Sequence, residues 1–336
     1  MSSARVNDVP PHTVAGNDDR FAGAPPPQFS IVTCTFNREH FLPRLYRSLL
    51  AQNGASLEWV IADDASTDGT ARLVAGWLQE AKMRIVYVRL ARNGHKKTAF
   101  ATALRHACGE LVAPLDDDDE LTPQALSAVA QHWAAQGEDR RKLAGVIHNS
   151  QLPDGTLVGS RMPPDVPFAN GLDLQFFHGV RGDKHCWTRR EVFDEIDLFA
   201  DLPGFIYEGS WWYQIAGRYR YAVLDRALRV YWQDASGSRL SQQPLADIVL
   251  PKLLLSLVTL RYAMPYLMRA PLTFAGDVAM VLRMAPRVGW GRTVALVRRV
   301  GLHPLAACLI LASAPLSAAL YVRDSLRLRR EAAAIR

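Results

Sequence analysis

The sequence predicts an α/β fold built on a mainly parallel sheet flanked by helices, with a basic, apolar helical region after it. Three observations carry that prediction. Short apolar runs rich in β-branched residues alternate with stretches of helical spacing, the order that parallel strands with crossover helices require. Two of those runs end in aspartates, Asp63-Asp64 and Asp116-Asp117-Asp118-Asp119. Ligands in such sheets sit beyond the carboxyl ends of the strands, where these carboxylates fall. Apolar residues make up 49% of the 336 and charged residues 21%, the balance of a folded chain with ample core.

The elements follow in order. Residues 1–28 are polar, punctuated by prolines and end in Ala24-Pro25-Pro26-Pro27. They predict a disordered tail, without the basic start and apolar core of a signal peptide. The run 29–35 predicts a buried strand, and helical spacing follows over 42–51. A second strand over 57–62 ends at Asp63-Asp64. Ser66-Thr67-Asp68-Gly69-Thr70 supplies turn and cap oxygens before a helix over 70–81. A strand over 84–90, a helix over 96–108 and a strand over 110–115 lead to the four aspartates. Past Pro153 the pattern loosens, with Pro163, Pro164 and Pro167 marking loops. Strand-like 184–187, a helix over 190–196, an aromatic helix from Glu208 and two short strands over 221–224 and 227–232 complete the sheet. From Leu245 the chain becomes helical and basic. The expected domains are the tail 1–28, an α/β domain 29–241 and a helical, membrane-associated region 242–336.

Four adjacent carboxylates repel one another, so a folded chain needs a reason to keep them. Hard oxygen ligands at a strand end suit Mg²⁺ or Mn²⁺, and a metal so held with open positions grips a diphosphate. The plainer reading is a solvated acidic turn capping a helix near Pro123. Cys34, Cys108, Cys186 and Cys308 are scattered, so neither a zinc site nor a disulfide framework is expected, and a cytosolic compartment suits them.

Three motifs resemble the inverting family 2 glycosyltransferases of the nucleotide-diphospho-sugar transferase (GT-A) fold, over about 29–241. Ser30-Ile31-Val32-Thr33-Cys34-Thr35-Phe36-Asn37-Arg38 is similar to the family's opening strand. Ala62-Asp63-Asp64-Ala65-Ser66-Thr67-Asp68-Gly69-Thr70 is close to its DDGSTDGT signature, and Leu115-Asp116-Asp117-Asp118-Asp119-Glu120-Leu121 to its LDxDDxL metal motif. The resemblance implies that Thr35 and Asn37 line the base pocket and that Asp64 accepts a hydrogen bond from the base. It puts Asp116 at the ribose and a Mg²⁺ or Mn²⁺ ion on Asp118. Asp117 joins the nucleotide-sugar site or, with Asp119, only shapes the turn. Asp68 fits a cap. Asn93-Gly94-His95-Lys96-Lys97-Thr98-Ala99 resembles the family's NxGKxxAxN segment, so Lys96 would reach the diphosphate, although Ala101 replaces its final Asn. Lys184, after Gly182-Asp183, would neutralise phosphate or acceptor charge. Glu208, in Tyr207-Glu208-Gly209-Ser210, falls where the family places a general base, and a carboxylate there would take the proton of an attacking hydroxyl. Its plainer role is a helix N-terminal carboxylate. Trp187, Trp211, Trp212 and Tyr213 offer faces for sugar stacking, with two of the four expected in the core.

The implied activity is metal-dependent, inverting transfer of one sugar from a nucleotide-diphospho-sugar, a UDP-sugar by family frequency, to a glycan or lipid-linked hydroxyl. No QxxRW motif of processive synthases is present. A nucleotidyltransferase would carry a Gly-rich loop after the first strand, where Phe36-Asn37-Arg38-Glu39 stands instead. A non-catalytic scaffold would not need Asp64, Asp116, Asp118 and Glu208 together.

Net charge is +6, but residues 252–336 carry 13 Lys and Arg against Asp277, Asp324 and Glu331. An anionic partner is expected there, and the interleaved apolar sequence favours a membrane surface over nucleic acid. Residues 302–322 are long enough to span, yet Pro304 and Pro315 interrupt them and arginines flank both ends. An interfacial or re-entrant placement at the cytoplasmic face fits best.

Overall fold

The computed structural model describes residues 10–233 and 245–313. They form two compact units, 10–204 with 218–233, and 205–217 with 245–313.

In the first unit β1 is His12–Gly16, β2 Phe29–Thr35, α1 Leu42–Leu50, β3 Leu57–Asp63, α2 Thr70–Glu80 and β4 Arg84–Leu90. Then come α3 at His95–Ala103, β5 at Leu111–Pro114, β6 at Glu120–Leu121, α4 at Ala125–Ala134, β7 at Leu143–Gln151 and β8 at Phe168–Ala169. The unit ends with α5 at Gly171–Phe176, β9 at Lys184–Arg189 and, after the excursion to the second unit, β10 at Arg220–Val230. The strands form one sheet in the order β1-β4-β3-β2-β5-β9-β7-β10-β6, with β8 on β10. The central run β4-β3-β2-β5 is parallel, as expected, while β9 pairs antiparallel with both β5 and β7.

β2 and β3 are buried on both faces, so their residues read as continuous apolar runs rather than an alternation. On α1, Leu42, Leu45, Tyr46 and Leu49 recur at helical spacing and are buried. Tyr46 stacks on Trp77 with ring centroids 4.4 Å apart, and Trp59 beneath them donates to the Thr33 hydroxyl at 3.0 Å. Glu58 is buried among these apolar residues and accepts from Ser30 Oγ and the Cys108 and Gly109 amides, which ties the turn before β5 to the sheet.

Several elements depart from the sequence reading. Residues 12–21, expected in a disordered tail, are ordered: β1 adds antiparallel to β4, and buried Asn17 donates to Met83 O and accepts from the Ile85 amide, both at 2.9 Å. Residues 1–9 lie outside the described residues. The helix expected to reach 108 stops at Ala103, where i→i+3 bonds from Arg105 and His106 tighten the chain into turns. Residues 190–195 are a 3₁₀ turn, and the two strands near 221–232 are one strand whose register shifts between Leu224 and Ala227. β7 was hidden because His148, Asn149 and Ser150 are polar yet buried.

The second unit holds α6 (Gly209–Ala216), α7 (Leu245–Tyr262), α8 (Pro271–Val288), α9 (Trp290–Val300) and α10 (Pro304–Ala312). Leu253, Leu254, Leu257, Val258 and Leu260 are wholly buried on α7, and Phe274, Val278, Val281, Leu282 and Ala285 form the buried stripe of α8. Among the described residues no helix is long and apolar enough to cross a membrane. Of the expected segment 302–322, residues 304–312 are α10 and 314–322 lie outside the described residues.

Asp277 on α8 accepts a 2.8 Å hydrogen bond from Ser256 Oγ on α7, and burial pushes its carboxyl up to about 6. The folded state therefore holds that proton to higher pH than the unfolded chain does, and stability falls as pH rises through about 4 to 6. Asp277→Asn keeps the acceptor and abolishes the charge. We expect it to remove that decline and to raise stability at neutral pH by up to roughly 2–3 kcal/mol, read from urea unfolding at a series of pH values.

Candidate active site

From β2 the chain runs outward through β3 to β4, then returns to the other side of β2 as β5. The strand order reverses there, and in such sheets the ligand crevice lies beyond the carboxyl ends of the strands at that point. Thr35 ends β2, Asp63 and Asp64 stand at the end of β3, and Asp116 follows β5 by two residues. The Asp64 amide donates to Thr35 O at 2.9 Å and locks the first two ends together.

The loops over this crevice are held by short polar side chains. Asn37 is left-handed, with φ 55°, a conformation Asn adopts more readily than most residues. Its Oδ1 accepts from the Thr67 amide at 2.7 Å, and its own amide donates to Ser66 Oγ at 2.9 Å. Asp63 is fully buried and structural, accepting from the Ser66 amide and from the Tyr87 hydroxyl. Asp64 accepts from the Gly94 amide at 2.7 Å, so it carries the loop before α3, and burial raises its carboxyl against that bond. Asp68 accepts from the Thr70 and Glu39 amides, each at 3.0 Å, which is the cap expected of it.

The acidic turn is surrounded by cations from distant parts of the chain. Lys96 on α3 pairs with Asp116, and its ammonium, against the cost of burial, holds that carboxyl well below the usual carboxylate range. Arg38, in the loop after β2, lies 2.9 Å from Asp117 Oδ1 through Nε and pairs with Asp118 through Nη2. Arg44 donates to the carbonyl of Asp118 and lies 3.9 Å over the Trp232 ring. Arg229 on β10 is 6% exposed and donates to Asp119 at 2.6 Å and to Asp183 at 2.9 Å, with Asp116 at 3.8 Å. Despite the cost of burial, Asp119, Asp183 and Asp116 hold its guanidinium charged. Asp119, fully buried, also accepts from the Trp232 amide at 3.1 Å.

The turn thus divides into two parts. Asp119 is committed to the fold on both oxygens. Burial pushes Asp117 up to about 7 although Arg38 pulls it down, and its Oδ2 has no hydrogen-bond partner. Thr35 Oγ1 is buried without a well-formed hydrogen bond and faces this same carboxyl, which it also pulls down. Asp116, Asp118 and Asp119 bring one oxygen each within 4.8 Å of one another, a hard donor set suited to Mg²⁺ or Mn²⁺. Of the three, Asp116 and Asp118 are half-buried and Asp119 is buried.

Lys184 and Glu208 complete the expected set. The Lys184 ammonium donates to the carbonyls of Val158 and Ser160, at 3.0 and 2.5 Å. Glu208 belongs to the second unit, where it is the half-buried N-cap residue of α6 and its carbonyl accepts from the Trp211 amide at 2.8 Å. Of the four aromatics, Trp187 and Trp211 are core residues. Sequence reasoning missed Arg38, Arg44 and Arg229. Arg38 had a signal, since it directly follows Asn37 in a quoted motif; Arg229 had none, because 110 residues separate it from Asp119. It also missed the buried imidazoles behind the turn. His185 Nε2 lies 2.8 Å from Pro114 O, His148 Nε2 accepts from Trp187 Nε1 at 3.0 Å, and burial pushes His148 down to about 4.

Arg229→Met strands the buried Asp119 carboxylate and should cost about 3–5 kcal/mol in urea unfolding. Adding Asp119→Asn should recover a large part of that loss, because the two residues are coupled.

Comparison with known proteins agrees with this geometry. Residues 30–196 match the model of the family described as glycosyl transferase family 2. A GalNAc(5)-diNAcBac-PP-undecaprenol beta-1,3-glucosyltransferase of Campylobacter jejuni is 37% identical over 110 residues, 31% of this chain and 34% of the relative. An undecaprenyl-phosphate 4-deoxy-4-formamido-L-arabinose transferase of Salmonella paratyphi A is 31% identical over 109 residues, 32% of this chain and 33% of the relative. The chain therefore spans about a third of the length of these two curated relatives. Among solved structures, S. aureus TarS 1–349 in complex with UDP-GlcNAc superposes with a TM-score of 0.55 at 19% identity, over 76% of this chain and 71% of that one. That likeness establishes the fold as GT-A. By its motifs, its fold and the match over residues 30–196, the chain belongs to glycosyl transferase family 2.

Proposed function

We propose that this protein transfers one sugar, with inversion, from a nucleoside-diphosphate sugar to a hydroxyl of a glycan or lipid-linked acceptor. The observation that carries the reading is the acidic turn at the switch point, with Lys96 and Arg38 paired against its two half-buried carboxylates, Asp116 and Asp118. Carboxylates for a cation beside basic groups already paired with them suit a diphosphate, which brings negative charge and many acceptor oxygens.

In this reading Thr35, Asn37 and Asp64 form the base end of the donor site. Asp118, with Asp116, would hold Mg²⁺ or Mn²⁺, which when bound supplies charge neutralisation on the departing diphosphate. Lys96 turns from Asp116 to a phosphate oxygen, and Arg38 is positioned to do the same. Asp117, paired with Arg38, belongs to the nucleotide-sugar side of the same turn. Lys184 holds the 158–160 backbone and supports the site from outside. The acceptor oxygen attacks the anomeric carbon from the face opposite the leaving group. The bond from that carbon to the diphosphate oxygen breaks, its electron pair leaves on that oxygen, and the acceptor proton passes to Glu208. Direct displacement inverts the configuration and needs no covalent enzyme intermediate.

A UDP-sugar is the donor we infer, supported by the UDP-GlcNAc held by the similarly folded TarS. Two relatives named for undecaprenyl-linked substrates support a lipid-linked acceptor, and with it work at a membrane surface, on the cytoplasmic side where nucleotide sugars would be at hand.

Sugar transfer from a panel of nucleotide sugars, followed by release of the nucleoside diphosphate, tests the reading. Asp118→Ala should abolish metal-dependent donor binding and turnover together. Glu208→Gln should bind donor normally and lose about 10²–10⁴-fold in kcat. Unchanged turnover in Glu208→Gln would remove Glu208 from the base role.

A further inference from the structure

α9 turns the wrong residues outward for a helix that faces only water. Thr293 and Leu296 are its buried side, each 5% exposed. The opposite stripe, at i, i+4 and i+8, is Trp290, Val294 and Arg298, with Trp290 62% and Val294 46% exposed. α10 repeats the pattern without charge. Leu305, Cys308 and Leu311 lie outward at i, i+3 and i+6, Leu311 is 74% exposed, and Ala306 alone is buried. Clustered exposed apolar side chains mark an interaction surface more often than a solvated one.

The charge selects the partner. Residues 290–313 contain Arg292, Arg298 and Arg299 and no Asp or Glu. The wider region 252–336 is strongly basic, so a second copy of the same surface meets like charge. An exposed tryptophan on an apolar stripe with arginines beside it suits the headgroup level of a bilayer, where the indole is half in hydrocarbon and the guanidinium meets lipid phosphate. Among the described residues α10 has 9 residues, roughly 14 Å of helix against about 30 Å of hydrocarbon, the length of an interfacial element.

We propose that the outward stripes of α9 and α10 are an interfacial docking surface for an anionic lipid bilayer, with Trp290, Val294, Leu305 and Leu311 entering the headgroup boundary and Arg292 and Arg298 at the lipid phosphates. This deepens the membrane-surface part of the function proposed above and rests on it for its purpose, not for its geometry.

The test is co-sedimentation of the full chain with phosphatidylcholine vesicles, with and without phosphatidylglycerol. Binding should require phosphatidylglycerol and weaken as salt is raised. Trp290→Glu should lower it about tenfold while Trp290→Phe retains it, with melting temperature and nucleotide binding unchanged in both. Absence of sedimentation with either vesicle, or equal sedimentation of Trp290→Glu, overturns the proposal. So does a concentration-dependent dimer abolished by Trp290→Glu, which assigns the stripe to a second copy. Lost vesicle binding with intact nucleotide binding overturns this surface alone; intact vesicle binding without any nucleotide binding overturns the transferase reading alone.

Discussion

Four adjacent carboxylates at one strand end cannot all stay charged in a half-buried turn unless cations stand against them. Much of the first unit serves to deliver those cations. Lys96 comes from α3, Arg38 from the loop after β2, and Arg229 from β10. Each belongs to a different element, so the turn has its charge balanced only when the sheet is assembled. The balance is also uneven. Arg229 closes on Asp119 inside the protein, whereas Arg38 and Lys96 hold half-buried partners, Asp118 and Asp116, that a cation or a phosphate can reach.

That unevenness explains why the same turn serves fold and chemistry. Asp119 and Asp63 are buried, fully hydrogen-bonded and structural, although each sits within a motif read as functional. Asp118 and Asp116 stay open to exchange partners. Behind them, the buried His185 imidazole, held neutral by burial, donates to the Pro114 carbonyl, so the chain enters the turn from a set position. A site prepared in this way spends little of its binding energy on rearranging the protein.

What was legible in the sequence follows from how local each signal is. The parallel core was legible because β2, β3, β4 and β5 are continuous apolar runs, and the aspartates mark their ends. Asp64, Asp116 and Asp118 fell at the crevice because strand ends and the switch point are properties of chain order. β1 was not legible: its five residues look like tail until β4 offers an edge to pair with. β7 was not either, since its polar residues find partners only on neighbouring strands. The pairing of Arg229 with Asp119 depends on contacts across most of the domain, which no local pattern encodes. The exposed stripe of α9 was half legible: composition pointed to a basic apolar region, but only the fold tells which side chains face outward.

In the function proposed, the half-buried carboxylates of the acidic turn bind a nucleoside diphosphate together with a divalent cation. Thermal unfolding of the purified chain against a panel of nucleoside diphosphates, with and without Mn²⁺, tests it most directly, because ligand bound to the native state raises the melting temperature by mass action. A rise is expected for one nucleotide, present with Mn²⁺ and lost without it. No rise with any nucleotide, in protein shown to be folded, would contradict it.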